Sequence, residues 1–221
     1  DKQRVRLKLI SLSGLVGVLI NIFLFLIKIS IGIIASSSAV MGDAFNNMSD
    51  ALTSLITLVG AKASSKPADS NHPYGHGRSE YIASFLVSIL IMFVGFLLFT
   101  SSIDSFYKGN LPKLSKLSII ILVISLGFKF YIYFLNKNLD KKLDSKLNYA
   151  VMIDARNDIL STVSIILAVI LQKYIKFNLD SLLGMILSII VFKPGMDLFL
   201  DTIDKLLGRG IGADLHKKIE E

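Results

Sequence analysis

Two short runs carry polar groups where such groups are costly. GDAFNNMSDA places Asn46 and Asp50 four residues apart, and DARND places Asp154 and Asp158 four apart. Residues at i and i+4 share a helix face, so each pair can aim two oxygen ligands at one point. Three carboxylates held together repel, and they need a cation, protons or basic partners. Arg156 lies about 200° around the helix from Asp154 and is poorly placed to serve. Polar side chains can also act simply as interhelical glue, but three acids suit that role badly, and a cation site is the stronger reading. The set offers oxygen alone, without His or Cys. Carboxylate, carbonyl and water suit Mg²⁺, Ca²⁺ and Mn²⁺, whereas Zn²⁺ prefers nitrogen and sulfur. Four protein ligands also fall short of the roughly six to eight oxygens that Ca²⁺ takes. Mn²⁺ is favoured, with Fe²⁺ next.

A second candidate site lies in SSKPADSNHPYGHGRSE, where Asp69, His72 and His76 could bind a metal through carboxylate and imidazole. Pro73, Gly75 and Gly77 make this stretch a shaped turn rather than a helix. A packed, hydrogen-bonded loop joining two spans explains the same residues. Asp43 shares the stripe of Asn46 and Asp50, one turn outward, where it either lines an exit pathway or caps the helix start.

These residues must be positioned by membrane-spanning helices. The 221-residue chain is 52% hydrophobic with a mean hydropathy of +0.62, too apolar for an ordinary soluble domain. Its apolar runs reach about 20 residues or more, the length that crosses a ~30 Å hydrocarbon core. Six spans are expected, at 9–34, 38–63, 80–106, 116–137, 147–174 and 179–204, in an all-α membrane protein. The short alternating segments of a β-barrel are absent. There is no Cys, which excludes disulfides and thiolate metal sites. The net charge of +7 is read as basic residues flanking spans, not as a nucleic-acid surface.

Charge asymmetry orients the bundle. Sixteen Lys and Arg fall on the side of the termini, and five (Lys108, Lys113, Lys116, Lys173 and Lys176) on the other, which puts both termini in the cytosol. Lys28, Lys129 and Arg156 remain inside spans; Lys28 can reach a headgroup, and Lys129 either snorkels or pairs. The uncharged GIIASSSAVM reads as a tight external turn. Lys193 and Pro194 interrupt the last span and suggest a kink there. Asp50 lies about twelve residues into the second span and Asp158 about eleven into the fifth, which runs the other way. Asn46 is thereby level with Asp158, and Asp50 with Asp154, near the bilayer midplane. Residues 1–208 form the membrane domain, and 209–221 begin a cytosolic tail. A composition rich in Ile, Lys, Ser and Asn, without Trp, suggests an AT-rich bacterial genome, and a multi-pass protein of the cell (plasma) membrane is expected.

Taken together, SSSAVMGDAFNNMSDAL, KPADSNHPYGHGRSE and DARND resemble the cation diffusion facilitators, six-span divalent-metal transporters, over nearly the whole chain. The resemblance implies a tetrahedral transport site at Asn46, Asp50, Asp154 and Asp158. Zinc-transporting members usually place His at one or two of these positions; the pattern here looks like the manganese branch, with Fe²⁺ or Zn²⁺ as alternative cargo. It also implies a homodimer in the lipid bilayer, and a second metal in some relatives at positions matching Asp69, His72 and His76. Relatives usually continue into a cytosolic ferredoxin-like domain; this chain reaches HKKIEE about where that domain would begin, so the domain is expected to be absent here. Relatives often carry an acid where Gly208 stands, and the ion pair it would form with Arg78 is not expected. Metal and protons compete for the same oxygens, which gives a physical route to antiport. A passive channel would need a continuous polar pore lining. A metalloenzyme would need a nucleophile and base that the midplane lacks, so no enzymatic reaction is expected.

Overall fold

The computed structural model describes residues 2–64, 79–109, 111–143, 145–172, 174–175 and 177–207. Asp69, His72, His76, Arg78 and the tail from Gly208 lie outside the described residues. The described chain forms six helices: α1 (Lys2–Ala35), α2 (Ser38–Ser64), α3 (Ser79–Lys108), α4 (Lys116–Leu143), α5 (Lys146–Leu171) and α6 (Leu179–Leu207). Four of them, α1, α3, α4 and α6, are long and apolar enough to cross a membrane. The other two, α2 and α5, have 27 and 26 residues and reach about 40 Å, but they carry the polar pairs. Large apolar side chains such as Leu19, Phe93, Ile124, Leu160 and Ile189 stand exposed on the outside of the bundle. In water such a surface would be unfavourable, whereas against lipid tails it is the matching solvent. This is a membrane protein.

Helix ends depart from the expected spans where polar chemistry takes over from apolar length. Helix α4 continues past 137 to Leu143, because its NKNLDKKL end is built of residues that tolerate a helix in water. Apolarity marks the membrane segment, not the helix limit. Helix α5 stops at Leu171, short of 174. There Gln172 accepts from the Leu179 backbone at 2.9 Å and donates to the carbonyls of Ile175 and Phe177, so its side chain knots the connection to α6. Helix α6 runs as one helix through Pro194, where the sequence suggested a kink. Its packing explains the continuity. A Cβ on Gly195 would sit 3.1 Å from the Met92 backbone nitrogen, and one on Gly95 would sit 3.0 Å from the Phe192 Cα, so α3 and α6 lie backbone against backbone on both sides of the proline.

Helices α3 and α6 form one closely packed pair, α1 packs on α2 and α4 on α5, while α2 also touches α3, α5 and α6. The apolar core of Ile31, Val40, Leu122, Ile165 and Leu187 joins α1, α2, α4, α5 and α6. Between α1 and α2 the turn is two residues long, as the uncharged sequence suggested. Ser36 adopts φ 53°, and the Ser37 amide donates to Gly32 at 2.9 Å, which satisfies the carbonyls at the end of α1.

The start of α2 is capped from another helix. Asp180 of α6 accepts from the Ser37 hydroxyl at 2.5 Å and from the Ser38 backbone amide at 2.8 Å. A carboxylate at a helix N-terminus satisfies orphan amides and meets the positive end of the macrodipole.

Candidate metal site

The polar side chains of α1, α2, α4 and α5 assemble inside the bundle in two storeys. On the inner storey, Asn46 of α2 donates its amide hydrogen to Asp158 Oδ1 of α5 at 2.6 Å. The levelling of these two residues across antiparallel helices is thus realised as direct contact. The other carboxylate oxygen, Oδ2, is bonded to the ammonium of Lys129 from α4. Lys129 Nζ also donates to Asn21 Oδ1 of α1 at 2.6 Å. Both members of the ion pair are buried, Lys129 at 1% and Asp158 at 2% exposure. The charge of Asp158 is therefore met by a lysine of the preceding helix, α4. Arg156, its near neighbour along the chain, is exposed.

The remaining two candidate ligands flank this pair. Asp50 is half-buried and within electrostatic reach of Asp158, Lys129, Asp154 and Asp43. Asp154 is more exposed and feels the charges of Asp158 and Lys129. All four candidates thus belong to one electrostatic group. They are not drawn into a cage: among the described residues, no three His, Cys, Asp or Glu side chains sit close enough to hold one ion together. Carboxylate and amide oxygens are hard ligands, and this group is chemically suited to a hard divalent ion.

The outer storey lies one turn nearer the α1–α2 turn. Lys28 of α1 pairs with Asp43 of α2 at 2.7 Å, both at 0% exposure. Thr162 of α5 donates to Asp43 Oδ2 at 3.0 Å and accepts from Lys28 at 3.2 Å. Lys28 does not reach a headgroup. Asp43 does not cap α2 either; Asp180 and Ser37 do that. Among the described residues, Asp43 Oδ1 is buried without a hydrogen-bond partner. Asn47 turns back on its own helix, donating to the Asp43 carbonyl at 2.9 Å.

A third polar group, also unread in the sequence, lies toward the start of α5. Asn148 donates to Ser13 Oγ of α1 at 2.9 Å and to Asn136 Oδ1 of α4 at 2.7 Å, and all three are buried. It ties the same three helices that meet at Lys129. The available signals were spacings. Asn21 and Lys28 are seven apart on α1, and Lys129 and Asn136 are seven apart on α4, which places each pair on one helix face.

A family model described as the cation efflux transmembrane domain matches residues 14–207. An uncharacterised transporter of Methanocaldococcus jannaschii is 31% identical over 91% of this chain and 71% of its own length. The manganese efflux system protein MneP of Bacillus subtilis is 28% identical, covering 91% of this chain and 70% of the relative. A second such protein of the same organism, MneS, is 26% identical over 88% and 67% respectively. A family match across six helices and both polar storeys establishes that this chain belongs to the cation efflux family of membrane transporters, resembling its manganese-exporting members.

Proposed function

We propose that the chain exports Mn²⁺ from the cytosol in exchange for protons, by alternating access to a site at Asn46, Asp50, Asp154 and Asp158. All six helices span the membrane in this reading, with both termini cytosolic and two copies forming a dimer. The observation that carries it is the Asn46–Asp158 contact at 2.6 Å. It joins an amide and a carboxylate from antiparallel helices inside the bundle, with two further carboxylates in electrostatic reach. The manganese efflux relatives support the choice of ion. Fe²⁺ and Zn²⁺ remain rival cargoes of the same mechanism, and a passive divalent-cation channel is the rival of a different class.

The chemistry follows from like charges. Metal and protons compete for the same carboxylate oxygens. Metal binding then releases protons, and apparent metal affinity rises with pH. Open to the cytosol, the site takes the metal and gives up protons; open to the outside, protons help to displace the metal. An inward proton gradient drives export.

Proteoliposomes containing a trapped pH dye test this directly. Mn²⁺ flux through the wild type is expected to move protons in the opposite direction, and Asp154→Ala is expected to lose both signals. Metal flux without a proton signal would favour the channel and sink antiport.

Selectivity is expected to reside in Asn46. Replacing its hard amide oxygen with imidazole, in Asn46→His, should raise the preference for Zn²⁺ over Mn²⁺ by about tenfold or more, because nitrogen ligands suit Zn²⁺. Competition assays with both metals measure the ratio. An unchanged ratio would remove Asn46 from the ligand set.

A further inference from the structure

We propose that Lys129 is a tethered cation that occupies Asp158 whenever metal does not, so that ammonium and metal ion alternate on one carboxylate. The inference rests on the reading that Asp158 is a metal ligand.

Four observations lead to it. First, both oxygens of Asp158 are already engaged, Oδ1 by Asn46 and Oδ2 by Lys129. A metal that takes this carboxylate must approach oxygens that already hold an amide and an ammonium, and two cations on one carboxylate repel each other. Second, Lys129 is 1% exposed and deep within the four-helix cluster, so its ammonium cannot simply withdraw into water when it is displaced. Third, it has a neutral holdfast. Asn21 Oδ1 accepts from the same Nζ at 2.6 Å, on the side supplied by α1 rather than by the ligand helices. Displaced from Asp158, the ammonium keeps this hydrogen bond. Fourth, Lys129 feels Asp50 as well as Asp158, so it sits among the charges that a bound metal would meet.

A lysine in this position does two things. It lowers metal affinity, because a divalent ion must compete with a cation held at zero distance cost. It also reduces the uncompensated negative charge that the empty site carries back through the membrane. An empty cluster of three carboxylates would otherwise have to cross the low-dielectric interior with its full charge or with more protons. A high-affinity sink would release metal poorly; a tethered competitor keeps the site exchangeable. The long, flexible stem of Lys suits the role, since its ammonium is a compact point charge that can swing between two acceptors.

Mn²⁺ binding to the purified protein in detergent, by isothermal titration and by metal-induced shift in melting temperature, tests the idea on three variants. Lys129→Gln removes the competitor and is expected to bind Mn²⁺ at least about tenfold more tightly than wild type. Its melting temperature should also rise more on adding Mn²⁺. Lys129→Arg keeps the cation and should stay near wild-type affinity. Asn21→Leu removes the holdfast, stranding the displaced ammonium, and should weaken Mn²⁺ binding about tenfold. Opposite signs from two partners of one hydrogen bond are not produced by a general loss of packing. If wild type binds Mn²⁺ while Lys129→Gln binds it no more tightly, as judged by either readout, the alternation is overturned and the metal site stands. If wild type binds no Mn²⁺ at all, the proposed function fails and the inference fails with it.

Discussion

Asp158→Ala is expected to abolish metal export, with proteoliposome flux falling by about 100-fold or more, beyond the range usual for losing a mere supporting group around a metal. It should also lower stability. Asp158 is the carboxylate in contact with both Asn46 and Lys129, so its removal takes away a proposed ligand and leaves Lys129, at 1% exposure, with Asn21 as its hydrogen-bond partner among the described residues. Breaking one side of a buried ion pair costs about 3–5 kcal/mol. The two effects can be separated. Pairing Asp158→Ala with Lys129→Met removes the stranded charge, and is expected to restore most of the melting temperature but none of the transport. Recovery of export in the double variant would show that Asp158 serves folding rather than metal, and the ligand assignment would fall. Circular dichroism in detergent follows the melting, and metal flux is measured on the same preparations.

Lys28→Met should be the most destabilising single change in the outer storey, by about 3–5 kcal/mol. Lys28 and Asp43 are both fully buried, and Lys28 is the sole cation bonded to Asp43 among the described residues. Without it, among the described residues, Asp43 keeps the Thr162 hydroxyl on Oδ2 alone, and Oδ1 has no partner. Removing both charges in Lys28→Met/Asp43→Leu should return stability to near or above wild type, since apolar replacement of a buried pair is often neutral or better. Thermal unfolding of the two singles and the double forms a mutant cycle that isolates the pair. A single-variant loss under about 1 kcal/mol would mean that water reaches Asp43, contrary to its burial.

What the sequence made legible was whatever depends on one helix alone. Helical spacing brought Asn46 and Asp50, and Asp154 and Asp158, to common faces, and counting along antiparallel spans levelled Asn46 with Asp158. The all-helical architecture followed from apolar run length, and the α1–α2 turn from an uncharged connection. The rest depended on how helices rotate against one another, which periodicity does not encode. A lysine in an apolar helix can stretch to a headgroup or turn inward, and the choice for Lys28 and Lys129 was made by Asp43 and Asp158 on other helices. Arg156 was the nearest base in sequence, yet it stands exposed, and a residue from α4 took the position beside Asp158. Asp180 gave no sequence signal as a cap, because it serves a helix more than 140 residues upstream. The proline in α6 suggested a kink, and the helix continues through it where Gly195 of α6 and Gly95 of α3 let the two backbones meet.

The Asp180 cap has a mechanical meaning. It fastens one end of α2 to α6, and α6 is in turn packed backbone to backbone against α3. Gly184, one turn along α6, seats the same corner: a Cβ there would sit 2.7 Å from Ser38 Cβ. With its first residue pinned, α2 is a lever with a fulcrum at Ser38. Asn46 and Asp50 lie about 12 and 18 Å from that point along the axis. A swing of about 10° would carry them roughly 2 and 3 Å, while the far end near Ser64 would travel about 7 Å over an arm of 1.5 Å per residue. A small rotation about one corner would therefore open one end of the bundle widely, yet move the proposed ligands by little more than the length of a metal–oxygen bond.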